Sequence, residues 1–313
     1  MVRRLRLGEL LDEAFQLLKV TFSRLIVFQA LVYAPSLALA ALAVHAAGQW
    51  LTGLLEGELE PQLPSLIVGT LGFFFGFLAL QVLLGAITQV ALTKGAAQTY
   101  LGEGAASVSG LLAYARRLFI RSLGLGLFLT SLLALAFAFP TAALVAAAVL
   151  VLGSGPQNLI GALLLVLAGG VFGLGGLAFA TFVYLRYAMA GAVLAIEGTS
   201  VAQALARSVV LMKGRYGSAL ALLAILTAIG LMVGGVLSLV VPTPAFEGKD
   251  LGEIRALLPQ LIRSQMMSQV LGQVAGALSG LYTSLCWTLF YFSARCDAEG
   301  FDLAHQAAKL GEE

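Results

Sequence analysis

The sequence predicts an all-α membrane protein with six spanning helices, and three observations carry that prediction. Charged residues make up 11% of the 313 residues, against about 25% in an ordinary soluble domain. The charges are segregated, leaving long uncharged runs at Leu25–Leu55, Pro61–Thr93, Ser122–Leu185, Tyr216–Phe246 and Ser264–Ala294. The basic residues also alternate between successive connections. A bilayer-spanning helix needs about 20 mostly apolar residues.

Taken in order, the first run makes span one. It begins too late, is too long and follows too many acids to read as a cleaved signal peptide. Pro35 falls inside it. The second run makes span two. The Ser122–Leu185 run is long enough for spans three and four, with "GSGPQN" at 153–158 as the turn between them. Pro140 should kink span three or end its regular part. The last two runs make spans five and six. Cys286 and Cys296 fall ten residues apart on one predicted helix, about 15 Å, which is too far for a disulfide.

Sidedness follows from the basic residues. With the N-terminus in the cytoplasm, 15 of the 18 Lys and Arg residues fall on that side, and only Lys249, Arg255 and Arg263 fall outside. The first outer connection, "EGELEPQLPS", is acidic, and the second carries no charge. Both termini are therefore expected in the cytoplasm, with the protein in the cell inner membrane.

A short polar phrase recurs after each even-numbered span. "EGTSVAQAL" starts at Glu197-Gly198, "EGFDLAHQA" at Glu299-Gly300, and a looser copy, "GEGAASVSGLL", holds Glu103-Gly104. In each, the glycine suits a helix end, and Ser107, Ser200 or Asp302 suits the cap of the next helix. The chain thus divides into three units of one amphipathic helix plus two spans, at about 5–104, 105–198 and 199–300, with a short amphipathic tail over 301–313. All belong to a single transmembrane domain.

The first amphipathic stretch carries Leu7, Leu10, Leu11, Ala14, Phe15, Leu18, Phe22 and Leu25 at helical spacing. The second carries Val108, Leu111, Leu112, Ala115 and Leu118 beside Arg116, Arg117 and Arg121. The third carries Val201, Ala204, Leu205, Ser208 and Met212 with Arg207 and Lys213, and Arg215 follows. These helices are expected to lie along the cytoplasmic surface, their basic residues meeting anionic head groups. A further stripe, Leu251, Ile254, Leu257, Leu258, Leu261 and Ile262, reads as a helix resting on the outer leaflet, bent at Pro259.

"LRLGELLDEAFQLLKVTFSRLI" at the start resembles the N-terminal signature of a bacterial six-helix membrane family identified as the membrane domain of glycerophosphoryl diester phosphodiesterase. "AVLAIEGTSVAQALARSVVLMKGRYGSALAL" is similar to that family's central phrase, with Arg207-Ser208 and Gly214-Arg215 in place. "LFYFSARCDAEGFDLAHQ" resembles its closing motif through Tyr291, Arg295, Glu299, Gly300, Phe301, Asp302 and Leu303. Ser293 stands where the family often has an acid, so no role resting on that acid carries over. The label comes from members fused to a phosphodiesterase domain, which this sequence does not include. The resemblance implies the membrane architecture and not the activity.

Catalytic signatures are missing. The sequence has no G-x-S-x-G, no phosphate loop, no H-E-x-x-H and no C-x-x-C. His45 and His305 fall on opposite predicted sides, and Glu56, Glu58 and Glu60 read as a solvated loop. No charge falls mid-span, which argues against a transporter built on intramembrane carboxylates. Gln29, Gln81, Thr88, Gln89, Thr130, Thr181, Tyr184, Gln273 and Thr283 either line a polar groove or bond between helices. Gly72/Gly76, Gly169/Gly173, Gly230/Gly234 and Gly272/Gly276/Gly280 have the spacing that lets helix backbones approach.

The expectation is a non-catalytic inner-membrane protein, an accessory or scaffold for envelope or lipid metabolism. Arg116, Arg117, Arg121, Arg207, Lys213 and Arg215 would contact anionic lipid or a protein partner. Glu103, Gly104, Glu197, Gly198, Glu299, Gly300 and Asp302 would shape the repeat. No cofactor, metal or nucleic acid is implied. The second reading is a transporter or lipid-translocating protein.

Overall fold

The computed structural model describes residues 3–55, 63–104, 107–154, 159–241 and 251–303, and no strand occurs among them. The expectations for Glu56, Glu58, Glu60, the turn residues 155–158, Lys249 and His305 lie outside the described residues. Among the described residues, six long helices take up the five apolar runs, α3 and α4 sharing Ser122–Leu185: α1 (Leu7–Leu55), α2 (Leu63–Leu101), α3 (Val108–Ser154), α4 (Leu159–Tyr187), α7 (Tyr216–Ser238) and α8 (Leu251–Glu299). Two short helices, α5 (Ala190–Glu197) and α6 (Val201–Met212), join α4 to α7. Among the described residues, five helices are long and apolar enough to cross a membrane, α4 and α5 counting as one. The sixth, α8, is less apolar, although it is uncharged from Ser264 to Ala294.

The amphipathic stretches of sequence and the apolar runs that follow them meet differently at the three junctions. α1 and α3 run unbroken through the junctions at residue 25 and residue 122, so their first halves are not separate surface helices. A 49-residue helix is about 74 Å long, far beyond the roughly 30 Å hydrocarbon core. Only the third junction breaks. There α6 ends at Met212, Gly214 takes φ +78°, and α7 restarts at Tyr216. The physical difference is local. "KVTFSRLI" and "RRLFIRSL" contain neither Gly nor Pro, whereas "MKGRY" supplies a glycine for the left-handed turn. The stripe beginning at Leu251 is likewise no separate helix but the start of α8, which continues through Pro259.

The helices form a ring in chain order. α1 packs on α2, α2 on α3, α3 on α4, α7 on α8 and α8 back on α1, with a slighter α4–α7 contact closing the circle. α2, α5 and α8 meet across the middle. Along α1, Leu10, Ala14, Leu17, Thr21, Leu25 and Phe28 are buried at steps of three and four, while Phe15 and Phe22 stand exposed. Exposed apolar side chains also cover α3, α4 and α7, including Leu135, Val171, Leu174 and Leu231. A soluble monomer rarely leaves such an area open.

Pro140 stays inside α3 rather than ending it. It has no N–H to give the Ala136 carbonyl. That carbonyl faces Gly176 of α4, where an added Cβ would run into it. Gly169 is a second close approach, its Cβ position 3.3 Å from Ala143. Gly230 and Gly234 make no such contact: an added Cβ would reach nothing nearer than 4.0 Å.

Candidate functional site

The repeated Glu-Gly phrase takes on physical meaning at one end of the bundle, where α5, α6 and the end of α8 meet. Gly104, Gly198 and Gly300 all have positive φ, at +92°, +65° and +62°. Gly198 ends α5 and Gly300 ends α8, whereas Gly102 does this work for α2. Ser200 caps α6 in a capping box with Gln203, and Ser107 Oγ accepts from the Gly110 N–H at the start of α3. Asp302 lies inside the short turn Phe301–Leu303 rather than ahead of it.

The glutamates of two copies converge on one arginine. Arg207 Nε lies 2.8 Å from Glu197, and its Nη2 meets Glu299. Arg295 Nε donates to Glu299 at 2.9 Å, the Tyr291 hydroxyl donates to Glu197 at 2.6 Å, and Arg295 Nη1 donates to the Tyr291 hydroxyl at 3.4 Å. The result is a closed ring of five side chains from α5, α6 and α8. Hydrogen bonding to Glu197 pushes the Arg207 guanidinium up. Burial alone would raise Glu299, but Arg295 and Arg207 together outweigh it and hold that carboxyl below its ordinary value. Glu103, of the third copy, is exposed and outside the ring.

The opposite side of the α8 end holds the chain's N-terminal segment. Ser293 Oγ accepts from the Leu5 N–H at 3.2 Å and donates to the Leu5 carbonyl at 3.3 Å. Asp297 pairs with Arg4 at 3.1 Å and Arg215 at 3.3 Å. Arg4, Arg6, Lys213, Arg215 and Asp297 line a cavity of about 450 Å³ that opens at the start of α7. The Arg6 and Lys213 side chains are exposed and form no ion pair among the described residues, although the Arg6 backbone N–H donates to Glu9 Oε2 at 3.3 Å.

The nominated basic residues therefore separate. Arg121 donates to the Gly198 carbonyl at 2.7 Å, and Arg207 and Arg215 are held by carboxylates. Arg116 and Arg117 are exposed on α3. Tyr291, Arg295 and Asp297 were not nominated, although Tyr291, Arg295 and Glu299 sit at i, i+4 and i+8 on one helix face.

A second site lies one helical turn further into the bundle. A half-open cavity of about 260 Å³ is lined by residues of α1, α2, α3, α4, α5 and α8, and none of its described lining residues is Asp, Glu, Lys, Arg or His. Gln29, Thr88, Gln89, Tyr184 and Thr283 line it, while Gln81 and Gln273 line an adjoining cavity of about 330 Å³ that shares Tyr33 and Gly276. Thr130 and Thr181 line neither. Gly276 and Gly280, expected as helix contacts, both border these cavities; an added Cβ at Gly276 would meet nothing within 4 Å, whereas at Gly280 it would reach Gln29 Nε2 of α1 at 3.5 Å. The helix break at Ala188–Met189 also borders the inner cavity. There the Arg186 carbonyl accepts from Ser208 Oγ at 3.1 Å.

Compared with known proteins, the chain matches no family model, no curated protein and no solved structure. The family resemblance thus rests on the quoted phrases alone.

Proposed function

We propose that this chain is a non-catalytic, six-span inner-membrane protein that holds anionic lipid head groups at its cytoplasmic end, as an accessory to envelope or lipid metabolism. The observation behind it is the basic cavity at the start of α7, where four cationic side chains surround a single carboxylate. Arg6 and Lys213 supply charge that no internal acid neutralises among the described residues. The first turn of α7 adds backbone N–H groups and the positive end of its dipole. Both termini face the cytoplasm in this reading, so the cavity meets the anionic leaflet. Arg116 and Arg117 extend the basic face, whereas Arg207, Arg215 and Arg121 serve the fold. The test is native mass spectrometry from nanodiscs of mixed phosphatidylglycerol and phosphatidylcholine. The parent should retain phosphatidylglycerol preferentially, and the Arg6→Gln/Lys213→Gln pair should lose that preference. Equal retention by parent and variant would sink the reading.

The two adjoining cavities favour a second reading, transport or lipid translocation. From Gln269 to Thr288 their wall follows α8 for about 28 Å, close to the roughly 30 Å hydrocarbon thickness. Folded protein in liposomes that moves neither labelled phosphatidylcholine nor small uncharged solutes would rule this out.

A further inference from the structure

The inner cavity contains buried polar atoms that the protein itself leaves unsatisfied. Gln29 is 4% exposed, and its Oε1 has no hydrogen-bond partner. Ser284 Oγ is likewise unpartnered. Trp287 Nε1 lies near the Tyr184 hydroxyl without reaching hydrogen-bond geometry. All three residues line the same cavity. An orphaned buried polar atom is costly to the fold, so three in one cavity call for an occupant.

Their chemistry describes that occupant. An amide oxygen needs a donor, an indole N–H needs an acceptor, and a serine hydroxyl serves as either. Hydroxyl groups satisfy all three. A charged occupant would meet no counter-charge in the wall and would pay heavily for desolvation. Tyr33, Tyr184, Tyr187 and Trp287 provide flat apolar surfaces between the polar groups. The volume equals about nine waters at roughly 30 Å³ each, the scale of a single sugar ring. The broken helix at Ala188–Met189 places irregular backbone beside the cavity, as membrane proteins do where backbone borders a polar interior.

We propose that this cavity binds an uncharged polyhydroxyl ring, either free in water or carried as the head group of a neutral lipid. The site is separate from the basic cavity and does not depend on anionic lipid binding.

The experiment uses the full chain with Trp50→Phe, which leaves Trp287 as the sole tryptophan, in phosphatidylcholine nanodiscs. Trp287 emission is followed against D-glucose, n-octyl glucoside below its micellar range, and sodium octyl sulfate. Saturation by glucose as well as the glucoside identifies a free ring. Saturation by the glucoside alone identifies a membrane-anchored head group. Octyl sulfate, with the same chain and a charged head, should not saturate. Gln29→Leu should weaken binding about tenfold. Gly191→Ala is the second variant: its new Cβ would collide with the Gln89 amide and force it to move within the cavity wall. The proposal is overturned if neither sugar probe saturates, if octyl sulfate binds as well as the glucoside, or if both folded variants bind like the parent. Binding without flux would leave this site standing while removing the transport reading.

Discussion

At the residue scale, the five-member ring sets one arginine between carboxylates from distant parts of the chain. Side-chain exposure is 34% for Arg207, 17% for Glu197 and 29% for Glu299, between a surface pair and a buried one. Replacing Arg207 with Gln leaves Glu197 its bond from Tyr291 and Glu299 its bond from Arg295. The expected cost is therefore about 2 kcal/mol, below the loss for a fully buried charge. Thermal unfolding in detergent measures it; an unchanged midpoint would mean the ring holds nothing together. A pH dependence follows. Glu299 titrates below its ordinary 4.5, so its stabilising contribution is complete above that value and fades as pH falls through the lowered one. The unfolding midpoint should drop as pH goes from 6 to 3, and Glu299→Gln should flatten that drop. An equal slope in parent and variant would assign the acid sensitivity to other carboxylates. Half of this ring is visible in the sequence, because Tyr291, Arg295 and Glu299 share a helix face. The other half is not, because Arg207 meets Glu299 across 92 positions of chain and no local pattern encodes that meeting.

At the element scale, the sequence reads well wherever local chemistry decides and poorly wherever packing does. The six long helices follow from uncharged runs that need only length and apolarity. The break after α6 was written in Gly214, and the continuity of α1 and α3 in the lack of any breaker at their junctions. Treating all three units as equal repeats hid that difference. Glycine spacing misled for a related reason: a glycine is free to face a helix, a cavity or lipid, and only the bundle chooses. Gly276 and Gly280 border cavities, while Gly176, outside the expected pairs, makes the tightest approach between α3 and α4. Gly176→Ala forces a methyl against the Ala136 carbonyl, and overpacking of this kind costs about 1–3 kcal/mol. Pro140→Ala in the same chain returns an N–H to that carbonyl and draws it back towards its own helix. The double variant should therefore recover part of the loss in unfolding midpoint. Equal midpoints for single and double variants would show that the carbonyl and the glycine are not coupled.

At the scale of the whole molecule, the deciding question is whether α8 crosses the membrane. By composition it is the least apolar of the long helices, and five others qualify without it. Part of its polarity, however, is directed: Gln273, Thr283 and Ser284 are half-buried along the two cavities, while Gln265, Ser268 and Gln269 are exposed. A helix closed between α1 and α7 needs an apolar face only where it meets its neighbours and lipid, so mean hydropathy undervalues it. Crossing by α8 puts Lys249 and the C-terminus on opposite sides, whereas five spans would put them on the same side. Cys286 and Cys296 are both buried, which leaves a quiet background for labelling introduced thiols in intact cells. Arg116→Cys should react only after the inner membrane is opened, and Glu58→Cys and Lys249→Cys should react before. A cytoplasmic fluorescent fusion at the C-terminus should then mature and glow. A reactive Lys249→Cys alongside a dark fusion would remove α8 from the membrane. That outcome would also remove the bilayer-length polar wall and with it the transport reading, while the basic cavity formed by the N-terminal segment and the turn before α7 would keep its geometry.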